Sequence, residues 1–196
     1  MTGTYEWNPM PHVVQIRCPK CSEKSLFEFA EMVMIRRRTE IPFFKRHKLL
    51  EYRCFRDRSG NRSHAAIFYA GLNAHNTEAL TSLPDGYEQT QWSHSRYLYR
   101  GHGLDIGTAM CDVCNLRRKH DLNWPRDAFF QIEYRRSCLW AFHRESAVEL
   151  RAFIASHDRK PEKFKWGKFL LHVPTHFLHD NARETIVKRL DKVLAQ

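Results

Sequence analysis

The amino-acid sequence predicts an α+β fold, and three observations carry that reading. Apolar residues alternate or run in short blocks through the first two-thirds of the chain. Two Cys-x-x-Cys pairs, Cys18/Cys21 and Cys111/Cys114, stand far apart. Helical spacing of apolar residues is confined to the C-terminal third.

Taken in order, residues 1–17 read as an irregular arm, because Pro9 and Pro11 cannot donate backbone hydrogen bonds. After the turn at Cys18–Cys21, residues Ser25 to Ile35 read as one strand that Arg36, Arg37 and Arg38 end in solvent. Leu49 to Phe55 and His64 to Ala70 read as a hairpin, joined across residues 57–61, where Gly60 and Asn61 supply left-handed conformations. A short helix over Asn76 to Ser82, a turn at Leu83 to Gly86 and a strand from Ser95 to Arg100 follow. Ala128 to Tyr134 and Cys138 to Phe142 read as a second hairpin around Arg135-Arg136-Ser137. Two amphipathic helices complete the chain. Glu145 to Ser156 carries Ala147, Leu150 and Ile154; Arg183 to Leu194 carries Ile186, Val187, Leu190, Val193 and Leu194, with Asp180 and Asn181 placed to cap it.

Cys-x-x-Cys turns present two sulfurs along one edge of a tetrahedron, and two such turns complete it. The four cysteines Cys18, Cys21, Cys111 and Cys114 are therefore expected to bind one structural Zn²⁺, with four thiolates closing the coordination sphere against water. Asn115, directly after Cys114, suits the left-handed step that such turns take. Between Cys21 and Cys111 lie 89 residues, where a compact zinc ribbon needs about fifteen to twenty. The expectation is a split zinc ribbon over residues 18–35 and 95–125, a basic inserted subdomain over 36–94, and the hairpin plus helices over 126–196. A redox-active pair is disfavoured, because neither pair sits between a strand and a helix. Cys54 and Cys138, in predicted strands, read as small buried hydrophobes; a second metal site using Cys54, His47 or His64 lacks paired ligand spacing.

The formal charge is +10 with a pI near 9.5, and Arg36 to Arg62 alone contributes a net +7. That excess points to a polyanionic partner, nucleic acid first. Arg36, Arg37, Arg38, Lys45, Arg46 and Lys48 flank Phe43 and Phe44, offering phosphate contacts beside rings that could stack on bases. Arg117, Arg118 and Lys119 follow the second cysteine pair, and Lys163 and Lys165 lie in a third basic stretch, residues 159–168, with Phe164 and Trp166. The competing reading for single aromatics is core packing. No run of apolar residues is long enough to span a membrane, and no secretory signal opens the sequence, so a cytoplasmic setting is expected.

No Gly-rich nucleotide loop, His-Glu-x-x-His, Gly-x-Ser-x-Gly or deaminase signature occurs, and the three His-Asp neighbours point to opposite faces if extended; a non-catalytic role is expected.

The segments Gly107 to Cys114, Leu139 to Glu145, Phe169 to His176 and Val187 to Leu190 resemble bacterial zinc-ribbon proteins over the C-terminal half. The resemblance implies a bacterial setting and no particular activity. Zinc ribbons as a class look like DNA-, RNA- or protein-docking modules, and only the four cysteines carry over from it. Three functional expectations stand in order: nucleic-acid binding, a protein-docking subunit with Trp92, Trp124, Trp140 and Trp166 as anchors, and an accessory component of a nuclease.

Overall fold

The computed structural model describes residues 10–56, 60–73, 80, 83–88, 92–97 and 104–196. It is mixed α+β, with antiparallel strands and mostly C-terminal helices. Two compact units emerge: Cys18–Cys21 with Leu26–Leu122, here the thiolate unit, and Met1–Arg17 with Ser22–Ser25 and Asn123–Gln196, here the helical unit.

In chain order the strands are β1 (Val13–Arg17), β2 (Lys24–Phe29), β3 (Glu31–Met34), β4 (Leu50–Arg56), β5 (Arg62–Phe68), β6 (Ser93–His94), β7 (Ile106–Cys111), β8 (Leu116–Asp121), β9 (Gln131–Tyr134) and β10 (Ser137–Trp140). The helices are α1 (Ile41–Arg46), α2 (Arg144–Ala155), α3 (Gly167–Leu170) and α4 (Asp180–Leu194).

Within the thiolate unit, β2 pairs with β7 and β7 with β8, all antiparallel. A second sheet runs β4-β5-β3-β6. The expected single strand over 25–35 is therefore two strands in two sheets. Ala30 is the junction: its N–H donates to the Ile106 carbonyl at 3.0 Å, and its carbonyl accepts from the Ser95 N–H at 2.9 Å. The second sheet is covered on both faces. Val33, Ala66 and Phe68 face one cluster with Phe44, Leu50 and Tyr87, whereas Met32, Ala65, Ile67 and Tyr69 face another with Ala30 and Ile106. The run Ala65 to Tyr69 lacks polar alternation for that reason, since successive side chains enter opposite buried faces.

The β4–β5 hairpin forms as expected, with Cys54 opposite His64. Of the strand expected over 95–100, Ser95–Tyr97 is a 3-10 turn after the two-residue β6, and 98–100 lie outside the described residues. Most of the helix expected over 76–82 and part of the turn over 57–61 also fall outside them. Helix α1, unanticipated, follows from Pro42 in its first turn, where the missing N–H costs nothing.

In the helical unit, β9 and β10 form the expected hairpin, with Arg135 and Arg136 at φ 46° and 63° supplying the tight turn. Strand β1 bonds beside it through Gln15 N–H to Phe142 and Phe129 N–H to Gln15. Helix α2 packs on α4, and α4 on β9. The buried stripe is Ala147, Leu150 and Ile154 from α2 with Ala182, Ile186 and Leu190 from α4. The N-cap of α4 lies one residue before the anticipated Asp180 and Asn181: His179 is the N-cap and Asp180 the first helical residue, where its carboxylate favours the helix dipole. The rings of Trp140, Phe142 and Phe169, all fully buried, pack with centroids 5.0–5.6 Å apart. Trp140 is thus core and no surface anchor.

Candidate metal centre and its basic surroundings

Two chain reversals build the centre, and all four of their cysteines belong to the thiolate unit. The first, Cys18-Pro19-Lys20-Cys21, separates β1 from β2. The second spans Cys111, the last residue of β7, to Leu116, the first of β8. Each ends in a left-handed residue, Ser22 at φ 65° and Asn115 at φ 54°. The matched steps make the two turns equivalent: the first cysteine of each, Cys18 and Cys111, is 2% exposed, and the second, Cys21 and Cys114, is intermediate.

The four sulfurs lie within 4.8 Å of one another and could hold a metal ion. Contacts run across the turns: Cys18 Sγ to Cys114 Sγ is 3.6 Å and Cys21 Sγ to Cys111 Sγ is 3.7 Å. A tetrahedral M–S₄ site with bonds of about 2.3 Å has edges of about 3.8 Å, so the donor set fits such an ion. The backbone N–H of Lys20 points at Cys18 Sγ from 3.4 Å. Burial, the largest influence on the Cys18 thiol, pushes its pKa up; the N–H groups of Cys21 and Lys20, with the Cys114 and Cys21 sulfurs, outweigh it and bring the pKa down to about 6. Its partner Cys114 is raised, by desolvation and by the contact with Cys18. Among the described residues no other group of three or more His, Cys, Asp or Glu side chains is so arranged. The Cys54/His47/His64 alternative forms no such group.

The basic residues separate into two sets. Arg36, Arg37, Arg38, Lys45, Arg46 and Lys48 belong to the thiolate unit and are exposed, as are Arg117, Arg118 and Lys119 of the edge strand β8. Tyr87 fastens the first segment, accepting from the Arg36 N–H at 2.7 Å and donating to Glu40 at 2.5 Å. Lys119 is engaged: Nζ lies 2.7 Å from Glu51 and 4.6 Å from the Tyr69 ring centroid. Lys163 and Lys165, in the helical unit, pair with Asp158 and Glu145, each at 2.8 Å. Phe44 is fully buried and Phe43 packs against the same core, so Phe44 is no platform for bases. Trp166 is half-buried against Phe142 and His143. Cys54 is exposed rather than a buried hydrophobe, whereas Cys138 is half-buried.

Sequence reasoning missed one grouping. Strand periodicity puts Tyr52 and Cys54 of β4 on the same face as Arg62 and His64 of β5. Tyr52 Oη lies 2.6 Å from His64 Nδ1, and Lys45 sits 4.8 Å over the Tyr52 ring. The alternation of 52/54/56 against 62/64/66 was the available signal.

No protein-family model matches the chain, and no curated protein or solved structure matches it at a significant level. Among the described residues, no helix is long and apolar enough to cross a membrane.

Proposed function

We propose that this chain is a zinc-stabilised, non-catalytic nucleic-acid-binding protein that contacts phosphates through the exposed basic residues of its thiolate unit. One observation carries the reading: Arg36, Arg37, Arg38, Lys45, Arg46, Lys48, Arg117 and Arg118 are all exposed on the unit that the four cysteines organise. Solvated faces normally intersperse both signs of charge. Here Glu40 and Glu51 are drawn into contacts with Tyr87 and with Lys119, Arg53 and Tyr69. A tetrahedral all-sulfur site suits zinc or iron; zinc is favoured because four thiolates suit a closed structural role. Lys163 and Lys165 are secondary contacts, since exposed ion pairs of this kind contribute little and yield readily to a phosphate. With Phe44 buried, affinity rests on phosphate charge more than on base stacking.

The test is binding of zinc-loaded protein to single- and double-stranded DNA and RNA across a salt series, beside an Arg36→Ala/Arg37→Ala/Arg38→Ala triple variant. Log affinity should fall with log salt, and on duplex DNA the slope should shrink by about 0.9 for each phosphate contact removed. Binding no tighter than that of an unrelated basic protein sinks the reading. Docking to a protein would then take its place, supported by Val113, 68% exposed within the second cysteine turn.

A further inference from the structure

An open groove of about 520 Å³ lies between the segment entering α1 and the start of β5. Among the described residues, Arg38, Ile41, Gly60, Asn61, Arg62 and His64 line it, and none of these is acidic. The groove is built by the sheet. Gly60, at φ 81°, turns the chain into β5, and the pleat then sets Arg62 and His64 on one face. Arg38 reaches it from the other wall, in the short 3-10 turn before α1. Lys45 of α1 lies over Tyr52, the residue that holds the His64 ring. Burial, and then the positive charges of Arg38, Arg62 and Lys45, push the His64 pKa below its ordinary value. When Tyr52 donates to Nδ1, the neutral ring carries its proton on Nε2, a donor suited to a phosphate oxygen.

We propose that this groove binds a phosphate monoester dianion, held by Arg38 and Arg62 with His64 as a neutral hydrogen-bond donor and Lys45 as a flanking charge. Two guanidinium groups match phosphate oxygens in forked geometry. A nearby cluster of three cations is better balanced by a dianion than by the single charge of a backbone phosphodiester. The volume exceeds one phosphate group and leaves room for what it is attached to. The proposal deepens the nucleic-acid reading and rests on it for its first source, the terminal phosphate of a strand; a free phosphate compound offers the same chemistry.

The experiment uses the full-length zinc-loaded protein and one single-stranded oligonucleotide, prepared with and without a 5′-phosphate, with inorganic phosphate as competitor and as a ligand in its own right. The phosphorylated strand should bind about tenfold more tightly, the worth of one added charge-assisted contact. Arg62→Ala and Arg38→Ala should each erase that difference, and millimolar phosphate should suppress it. Lys188→Ala, which removes one exposed charge from α4, should preserve it. Phosphate binding that Arg62→Ala abolishes, without any preference between strands, supports the groove with a free phosphate compound as ligand. Equal affinity for both strands together with no phosphate binding overturns the proposal. Failure of the unphosphorylated strand to bind instead counts against the nucleic-acid reading alone.

Discussion

Removing an ion held by the four cysteines should unfold the unit that carries them, and the sulfur geometry bounds the length of the bonds such an ion would make. A tetrahedron's edge is about 1.63 times its centre-to-vertex distance. Two of the six edges, 3.6 and 3.7 Å, match a regular tetrahedron whose centre lies about 2.2–2.3 Å from each sulfur, a length that suits zinc–thiolate bonds. X-ray absorption on the zinc-loaded chain should show four sulfur scatterers at about 2.3 Å and no nitrogen or oxygen in the first shell. Binding at such a site is worth about 10–16 kcal/mol near neutral pH, as much as the whole stability of an ordinary domain, about 5–15 kcal/mol. A chelator should therefore abolish hydrogen-exchange protection in β7 and β8, whose hairpin closes on Cys111 and Cys114. Thiol labelling gives an independent count. In the loaded protein, exposed Cys54 should react promptly and Cys138 slowly, since burial, then Glu133, raises its thiol pKa. Cys18, Cys21, Cys111 and Cys114 should react only after chelation. Six reactive thiols in the loaded protein, nitrogen or oxygen in the first shell, or unchanged protection after chelation would each refute the argument.

Three further outcomes follow from local geometry. At Gly107, opposite Phe29 in the β2–β7 pair, an added Cβ would stand 2.1 Å from the Glu28 carbonyl oxygen and 2.6 Å from Phe27 Cζ. Gly107→Ala should cost about 3 kcal/mol, read as a lower urea midpoint at unchanged slope. His143 caps α2 by accepting the Ser146 N–H on Nδ1, and burial lowers its pKa. Its neutral form is therefore the folded form: stability is full above the unfolded value of about 6.5 and declines as pH falls below it, because the unfolded chain binds the proton first. His143→Asn, which caps without titrating, should flatten that decline in pH-resolved melts. Arg151 holds Asp191 through two bonds of 2.8 and 3.1 Å between α2 and α4. Both groups are substantially exposed, so Arg151→Met should barely move the denaturant midpoint, and any loss should shrink in high salt.

The helical unit was the most legible in advance. Its two long helices carry apolar residues at 3.6-residue spacing, and that pattern depends only on one side of each helix meeting a core. The α3 turn escaped notice because four residues are too few to show a period. In the thiolate unit, residues 25–35 read as one strand, because apolar character continues through Ala30. The change of sheet there is made by hydrogen bonds to Ile106 and Ser95, which are remote in sequence. Phe43 and Phe44 offered the same local signal as a base-stacking pair and as core, and the packing of Tyr87 and Leu50 around Phe44 decided between them.

The sequence by itself determined the chemistry: the metal donors, their paired spacing, the excess of positive charge and the periods of the long helices are all local properties of the chain. Tertiary structure alone decided which of these meet. Only folding closes the 89-residue gap between Cys21 and Cys111 to a 3.7 Å contact between sulfurs, and only the register of β4 on β5 places His64 beside Tyr52. Composition records how many cations there are. Where they converge depends on long-range strand pairing, which is set by burial on both faces of a sheet and leaves no periodic mark within any one segment.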